Sequence, residues 1–270
     1  MGETRVSVRW VIQSNMGSAA DVAVIDAACS QLGLPCTLVS IVPFSDDVPD
    51  VPTDMPAVFY GTSRFVSNVH RCARWRPGVF FDEESMCYSS AHAHYGARML
   101  SRAILRTSMQ EFAGRDLDPK QHFFVRPDHG SKAFAGTVMA FREFQEWCDR
   151  LRSGGFLIGL DTPIIVADPV DIDCEWRLFV VEGQPLAGSR YRRQGRADVD
   201  AQVPDEVREF AGEMAALWSP ADAFVLDVAQ AAGRLNVLEV NSMNSSGFYA
   251  SDIPTIVRGV SSMVGRRYAQ

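Results

Sequence analysis

Two β-rich segments near the C-terminus carry the residue types best suited to chemistry. They read Phe224-Val-Leu-Asp227-Val and Leu235-Asn-Val-Leu-Glu239-Val-Asn241, joined by a turn around Ala232-Gly233. Alternate side chains of a strand share a face, which groups Glu239 with Asn241 and sends Leu238 and Val240 toward a core. Paired as a hairpin, the first segment brings Asp227 to the same face. Two carboxylates and an amide oxygen then converge, hard oxygen donors suited to Mg2+ carrying nucleotide phosphates. A wet hairpin face accounts for Asp227 taken alone. The Glu-Val-Asn triplet with an Asp twelve residues upstream is a more specific pattern.

Upstream lie three further polar constellations. The stretch Phe124-Val-Arg126-Pro127-Asp-His-Gly130-Ser131-Lys132-Ala-Phe-Ala-Gly136 puts a cation at a strand end, a proline that turns the chain, and a Gly/Ser loop. Backbone N–H groups of such a loop can cover a phosphate tail, with His129 and Lys132 in reach of it. The stretch Pro163 to Arg177 runs from an apolar strand through Asp168 to Glu175 and Arg177, the last two on one strand face. The third, Gly188-Ser189-Arg190-Tyr191-Arg192-Arg193-Gln-Gly-Arg196, is a basic edge on a chain of net charge -7, fit to dock an anion. Alternation assigns Arg190 and Arg192 to a common face.

In order and texture these segments resemble the ATP-grasp superfamily, which includes D-alanine–D-alanine ligase and glutathione synthetase. The resemblance covers roughly residues 95–267. It implies an α/β (α+β) ATP-grasp fold, with nucleotide held between two lobes behind a small N-terminal α/β lobe. It also implies ATP and Mg2+ as cofactors. Asp227, Glu239 and Asn241 would hold the metal, and Arg126, Ser131 and Lys132 the phosphates. Asp168 at the hinge and Glu175 seven residues on would seat adenine and ribose, while Arg177 and Arg190 would stabilise the transferred charge. Most members carry Lys where this chain has Arg126, and a less studied phage and bacterial branch resembles it in using Arg. The guanidinium fork binds phosphate at least as well. Many ligases also carry an Arg two residues before the metal-binding Asp, where this chain has Val225.

The implied reaction is ligation: ATP phosphorylates a carboxylate, and an amine or thiol attacks the acyl phosphate. The partners would be a small-molecule or peptide carboxylate and an amine nucleophile, of identity the sequence does not give. A kinase acting on the same fold, and a nucleotide-binding protein without turnover, are the alternatives.

The elements that must position these residues follow from periodicity. Val6–Ile12, Thr37–Val42 and Ala57–Tyr60 read as strands, with a helix over Ala19–Gln31 closed by Gly33, a βαβ rhythm. Pro43–Pro56 reads as a loop, and Phe80–Ala93 has no clear period. Tyr95–Phe112 reads as an amphipathic helix, with Met99, Ala103, Ile104 and Met109 along one stripe. Strands are expected over His122–Arg126, Pro163–Ala167, Glu175–Val181 and Gln184–Arg192, and helices over Phe141–Leu151, Pro204–Trp218 and Pro254–Val264. The hairpin Ala223–Ala229 with Leu235–Val240 completes the set. The chain divides near residue 115, into an N-terminal α/β lobe with its connecting helix (1–115, the substrate side) and a nucleotide- and metal-binding region (116–270).

Composition limits the function classes. The chain has 270 residues, 47% hydrophobic and 22% charged, enough for a large core. Net charge -7 argues against a nucleic-acid partner. Only Lys120 and Lys132 stand beside 24 arginines, so phosphate contacts fall to Arg. None of the six cysteines forms a Cys-x-x-Cys pair, and no apolar run reaches the length of a membrane span. A cytoplasmic protein away from membranes is the expectation, with oligomeric state open. His92 and His94 alternate as a metal pair would on a strand, but no third ligand is near in sequence. No Walker-type phosphate loop or Gly-x-Ser-x-Gly elbow is present.

Overall fold

The computed structural model describes residues 7–43, 45–129, 133–154 and 158–268. Gly130, Ser131 and Lys132 of the expected phosphate loop, and Val6 of the first expected strand, lie outside the described residues.

Strand β1 (Arg9–Gln13), helix α1 (Ala19–Leu32) and strands β2 (Cys36–Val39) and β3 (Ala57–Tyr60) form a parallel sheet in the order β2-β1-β3. The Ser18 hydroxyl accepts the Asp21 N–H and opens α1. Gly33, at φ 65°, closes it in the left-handed region that favours glycine. Helices α2 (Ser63–His70) and α3 (Tyr88–Tyr95) follow, around a 3-10 turn at Ala73–Gly78.

The expected helix over Tyr95–Phe112 is not formed. Gly96 (φ 53°, ψ -121°) ends α3, and the chain runs extended into strand β4 (Leu105–Ser108) and then helix α4 (Met109–Ala113). Ser108 and Glu111 form a reciprocal capping box there. The apolar stripe serves two different cores: Met99 and Ile104 pack into one and Met109 into another, while Ala103 is exposed. Periodicity counts buried residues without saying which core buries them.

Strands β5 (His122–Pro127), β6 (Thr137–Ala140) and β7 (Pro163–Ala167) join β4 in an antiparallel sheet of order β4-β7-β5-β6. One face packs under α4 and α5 (Phe141–Arg152), where Phe112 lies edge-on to Phe123, Phe141 and Phe144 at 5.1–5.4 Å between ring centres.

Residues 168–173 cross to the third sheet. It contains β8 (Cys174–Val181), β9 (Gln184–Arg193), β10 (Arg196–Asp200), β11 (Ala223–Ala231) and β12 (Arg234–Ser242), in the order β10-β9-β8-β11-β12. Helix α6 (Asp205–Leu217) and helix α7 (Ile253–Tyr268) pack on it. Alternation fixes what each face does. Trp176, Leu178, Val180, Leu226 and Val228 enter the core that includes α6 residues Val207, Phe210 and Met214. Phe179, Val181, Ala223 and Val225 enter the core shared with α1, α7 and β1. That second face is therefore apolar at one end, and its other end carries Glu175, Arg177 and Asp227.

A bulge in β12 alters one expectation. Asp227 opposes Glu239 but Val228 opposes Val237, so Leu238 is the extra residue. Val240 is core, as alternation suggests, whereas Leu238 is half-buried and joins none of the three described cores.

Gly188 sits opposite Leu178, next to the strand segment that carries Arg177. A Cβ there would lie 2.6 Å from the Arg177 carbonyl oxygen and 2.5 Å from the Leu178 side chain. Gly188→Ala is expected to cost about 1–3 kcal/mol, because backbone cannot yield as a side-chain tip does. Urea unfolding of the variant beside wild type checks this.

Candidate nucleotide and metal site

Arg177 on β8 and Asp227 on β11 face each other in register. The guanidinium donates from Nε to Asp227 Oδ1 at 2.9 Å and from Nη2 to Oδ2 at 2.7 Å, a two-pronged pair. Asp227 is fully buried and Arg177 nearly so. Its third nitrogen, Nη1, donates to the Gly247 carbonyl at 3.2 Å. Burial pulls the Arg177 pKa down, but the Asp227 charge more than offsets it and holds the group above its ordinary value. The cation of β8 thus contacts Asp227 directly across the sheet, where Val225 two residues earlier in β11 is committed to a core.

Asn241 joins this pair to Glu239. Its Nδ2 donates to Asp227 Oδ2 at 3.2 Å and to Glu239 Oε1 at 3.1 Å. One amide end within 3.2 Å of both carboxylates shows that the three side chains surround a common point. Glu239 Oε2 in turn pairs with Arg126 Nη1 at 2.8 Å, linking the third sheet to β5 of the second. The Arg126 guanidinium lies 4.6 Å above the Tyr88 ring. Burial first, against the pull of Ser101 and Arg126, raises the Tyr88 pKa. The result is a continuous chain, Arg126–Glu239–Asn241–Asp227–Arg177, in which each acid has a cation beside it.

Five of the expected site residues are brought together here: Arg126, Arg177, Asp227, Glu239 and Asn241. Glu175 is close by and buried, accepting from Arg192 Nη1 at 3.5 Å. The Tyr191 hydroxyl also bonds to it. Burial and the nearby Asp227 and Glu175 charges raise that phenol's pKa. Asp168 stands apart and exposed, lining a cavity of about 380 Å3 with Val170, Leu100, Ser101 and Asn236. Arg190 is not part of the cluster. A bulge puts Arg192 opposite Glu175 but Arg190 opposite Trp176, so the two arginines do not share a face. Arg190 Nη2 instead pairs with Asp198 at 3.3 Å and Asp200 at 3.1 Å. His92 and His94 lie on a helix, not a strand. His94 stacks on Trp218 at 4.3 Å, and His92 Nε2 meets the Arg102 carbonyl at 3.1 Å.

Several residues of the site give no signal in the sequence. Arg106 of β4 and Arg126 of β5 both oppose Ile165 of β7, so they occupy one face of the second sheet. Reading residues 95–112 as a helix concealed Arg106. Asp128, 1% exposed, accepts from the Ser89 N–H and hydroxyl at 2.8 Å each and from Arg106 Nε at 2.6 Å. With the Tyr88 N–H on the Asp128 carbonyl at 2.9 Å, it fixes the start of α3 against the end of β5. Asp128→Ala is expected to cost about 1–3 kcal/mol through the orphaned donors. It should also loosen Tyr88 from Arg126, visible as greater quenching of tyrosine fluorescence by acrylamide.

The loop after β12 is fixed with equal care. Asn244, fully buried, donates to the Phe59 carbonyl at 2.6 Å and the Gly78 carbonyl at 3.0 Å, and accepts the Phe80 N–H at 2.7 Å. Phe248 is stacked between Tyr60 and Phe179. Tyr249 follows at φ 51°, a strained conformation for a bulky side chain. Its ring lies 5.1 Å from the Arg177 guanidinium and stacks on Tyr191.

The family is decided by a sequence comparison. Residues 49–260 match the model of an ATP-grasp domain, family 3 of its clade. The chain belongs to the ATP-grasp superfamily. Solved structures agree on the ATP-grasp fold. D-alanine–D-alanine ligase from Bacillus anthracis superposes with a TM-score of 0.61 at 12% identity, over 97% of this chain and 98% of that one. The D-cycloserine synthetase DcsG gives 0.63 at 13% identity, over 97% and 99%. The ATP-grasp ligase PsnB, complexed with precursor peptide PsnA2 and AMPPNP, gives 0.56 at 13%, over 98% and 99%. A search of curated proteins finds no match. At these identities the likeness establishes the ATP-grasp fold.

The donor set fits a magnesium ion. Among the described residues no group of three His, Cys, Asp or Glu side chains gathers as a metal site. Two carboxylates completed by the Asn241 amide are nevertheless all-oxygen donors of the kind Mg2+ takes, and they converge on one point. Among the described residues no helix is long and apolar enough to cross a membrane.

Proposed function

We propose that this protein is an ATP-dependent ligase that activates a carboxylate as its acyl phosphate and joins it to an amine or thiol, releasing ADP and phosphate. The observation that carries this reading is the convergence of Asp227, Glu239 and Asn241 between two arginines, Arg126 and Arg177.

The residues divide the work by charge. Asp227, Glu239 and the Asn241 oxygen would hold Mg2+, which supplies charge neutralisation at the β- and γ-phosphates. Arg126, with Arg106 on the same sheet face and Ser131 and Lys132 of the following loop, would neutralise the phosphate tail. Arg177 would stabilise charge on the transferred group. The cavity of about 380 Å3 beside Asp168 has the size of a small-molecule pocket and would take the nucleoside end, with Glu175 toward the ribose. Arg190, tied to Asp198 and Asp200, would act there only after leaving them. Residues 1–115 would form the substrate side and 116–270 the nucleotide side.

Calorimetric titration of ATP with and without Mg2+, on wild type, Glu239→Gln and Asn241→Ala, tests the site. Mg2+-dependent binding that weakens in both variants supports it, and absence of ATP binding in wild type removes the nucleotide reading. ADP release from a panel of carboxylates, with and without amines, then separates ligation from phosphorylation alone. Binding with no release above background would identify a binding protein.

A further inference from the structure

We propose that the groove over α2 is a second anion site, which holds a substrate carboxylate that is bound rather than activated. The proposal rests on the reading that chemistry takes place at the Arg126–Asn241 centre.

The cavity at that centre, of about 90 Å3, is lined in part by Arg126, Arg177 and Asn241. Ser63 and Phe81 line both it and a larger cavity of about 350 Å3 on the exposed side of α2, so the two adjoin. The larger space carries Arg64 and Arg71, seven residues apart and hence on one side of the helix. Both aim Nη2 at the same oxygen, Oδ1 of Asp46, at 3.1 and 3.6 Å. Two guanidinium groups therefore already converge on a carboxylate oxygen. That carboxylate belongs to a loop side chain 71% exposed, which a ligand can displace.

Charge and preorganisation favour an anionic occupant. Two cations share one acid, and the other acid lining the cavity, Glu83, is engaged by His129 Nδ1 at 3.1 Å. Asn68, buried, accepts from Arg71 Nη2 at 2.7 Å and donates to the Ser45 carbonyl at 3.1 Å, which steadies that guanidinium. On a chain of net charge -7, such a pair is a local attraction for a carboxylate. A substrate reaching from the reaction centre across Ser63 would thus carry one group at the chemistry and a free carboxylate at Arg64 and Arg71. A short dicarboxylic acid and the C-terminus of a peptide both present this chemistry.

The test uses the full chain saturated with Mg-ADP and calorimetric titration of glutarate, N-acetyl-triglycine and its C-terminal amide. Binding of glutarate indicates a small acid; binding of the free peptide but not its amide indicates a peptide C-terminus. In either case Arg64→Gln and Arg71→Gln should each weaken the probe about tenfold or more, as expected for a charge-assisted contact. Asp46→Asn should strengthen it about threefold, since the internal competitor is gone; a gain of affinity cannot come from misfolding. No probe binding at about 10 mM, or binding indifferent to all three substitutions, overturns the proposal and leaves a solvated ion pair. Mg-ATP affinity is read separately: its absence in wild type would count against the nucleotide site and not against this groove.

Discussion

Asp227→Asn is expected to lower the folding free energy by about 3–5 kcal/mol, the usual consequence of removing one partner from a buried ion pair. The reason is the state in which Arg177 is left. It is 7% exposed, its Nε and Nη2 both donate to Asp227, and the Tyr191 and Tyr249 rings offer only partial compensation. The amide of Asn keeps the shape and one acceptor but no charge. Urea unfolding followed by circular dichroism measures the loss. A change below about 1 kcal/mol would mean that water reaches Arg177, and the pair would then have to be described as solvated. The double variant Asp227→Asn/Arg177→Met separates the causes. Replacing the orphaned cation by an apolar chain of similar length should recover part of the loss, because much of the single-variant cost is an uncompensated charge.

The second large effect is a coupling between metal and nucleotide. Arg126 occupies Glu239 and Arg177 occupies Asp227, so the carboxylates accept a divalent ion best when both guanidinium groups have phosphate to turn to. Phosphate likewise meets freer arginines once the carboxylates face a metal. ATP is therefore expected to bind about 100-fold more tightly with Mg2+ than with EDTA, toward the upper end of ordinary coupling energies. Glu239→Gln should remove most of that factor, and Arg126→Gln should weaken ATP under both conditions. Equal ATP affinity with and without Mg2+ in wild type would show that the carboxylates do not hold the metal. Neither readout depends on knowing the substrates.

Much of the site was legible because it lies on single strands. Glu239 with Asn241, and Glu175 with Arg177, are two residues apart, and a period of two puts such pairs on one face whatever surrounds them. The hairpin was legible for the same reason, with its turn at Ala232-Gly233 and Asp227 opposite Glu239. Errors arose where the period is broken. The bulge in β12 leaves Leu238 outside the core, and the one between β8 and β9 puts Arg190 and Arg192 on different faces; an extra residue in a ladder is invisible to alternation. The segment from Tyr95 to Phe112 failed differently. Its apolar residues are real, but Met99 and Met109 answer to separate cores, and Gly96 in a non-helical conformation ends the helix before the stripe begins.

By itself, the sequence determined the acidic triplet and its upstream Asp, the arginine at the end of β5, the strand pairs that carry them, and through these the superfamily. It did so because each depends on spacing of a few residues, where covalent geometry alone dictates which side chains meet. Only the tertiary structure decided that Arg126 reaches Glu239 from another sheet, that Arg177 takes the place beside Asp227, that Arg106 shares Arg126's face, and that Asp128 and Asn244 hold the elements around them. Those contacts join residues 22 to 185 positions apart, or depend on how whole sheets are stacked. No local period encodes such a distance; the packing of three cores sets it.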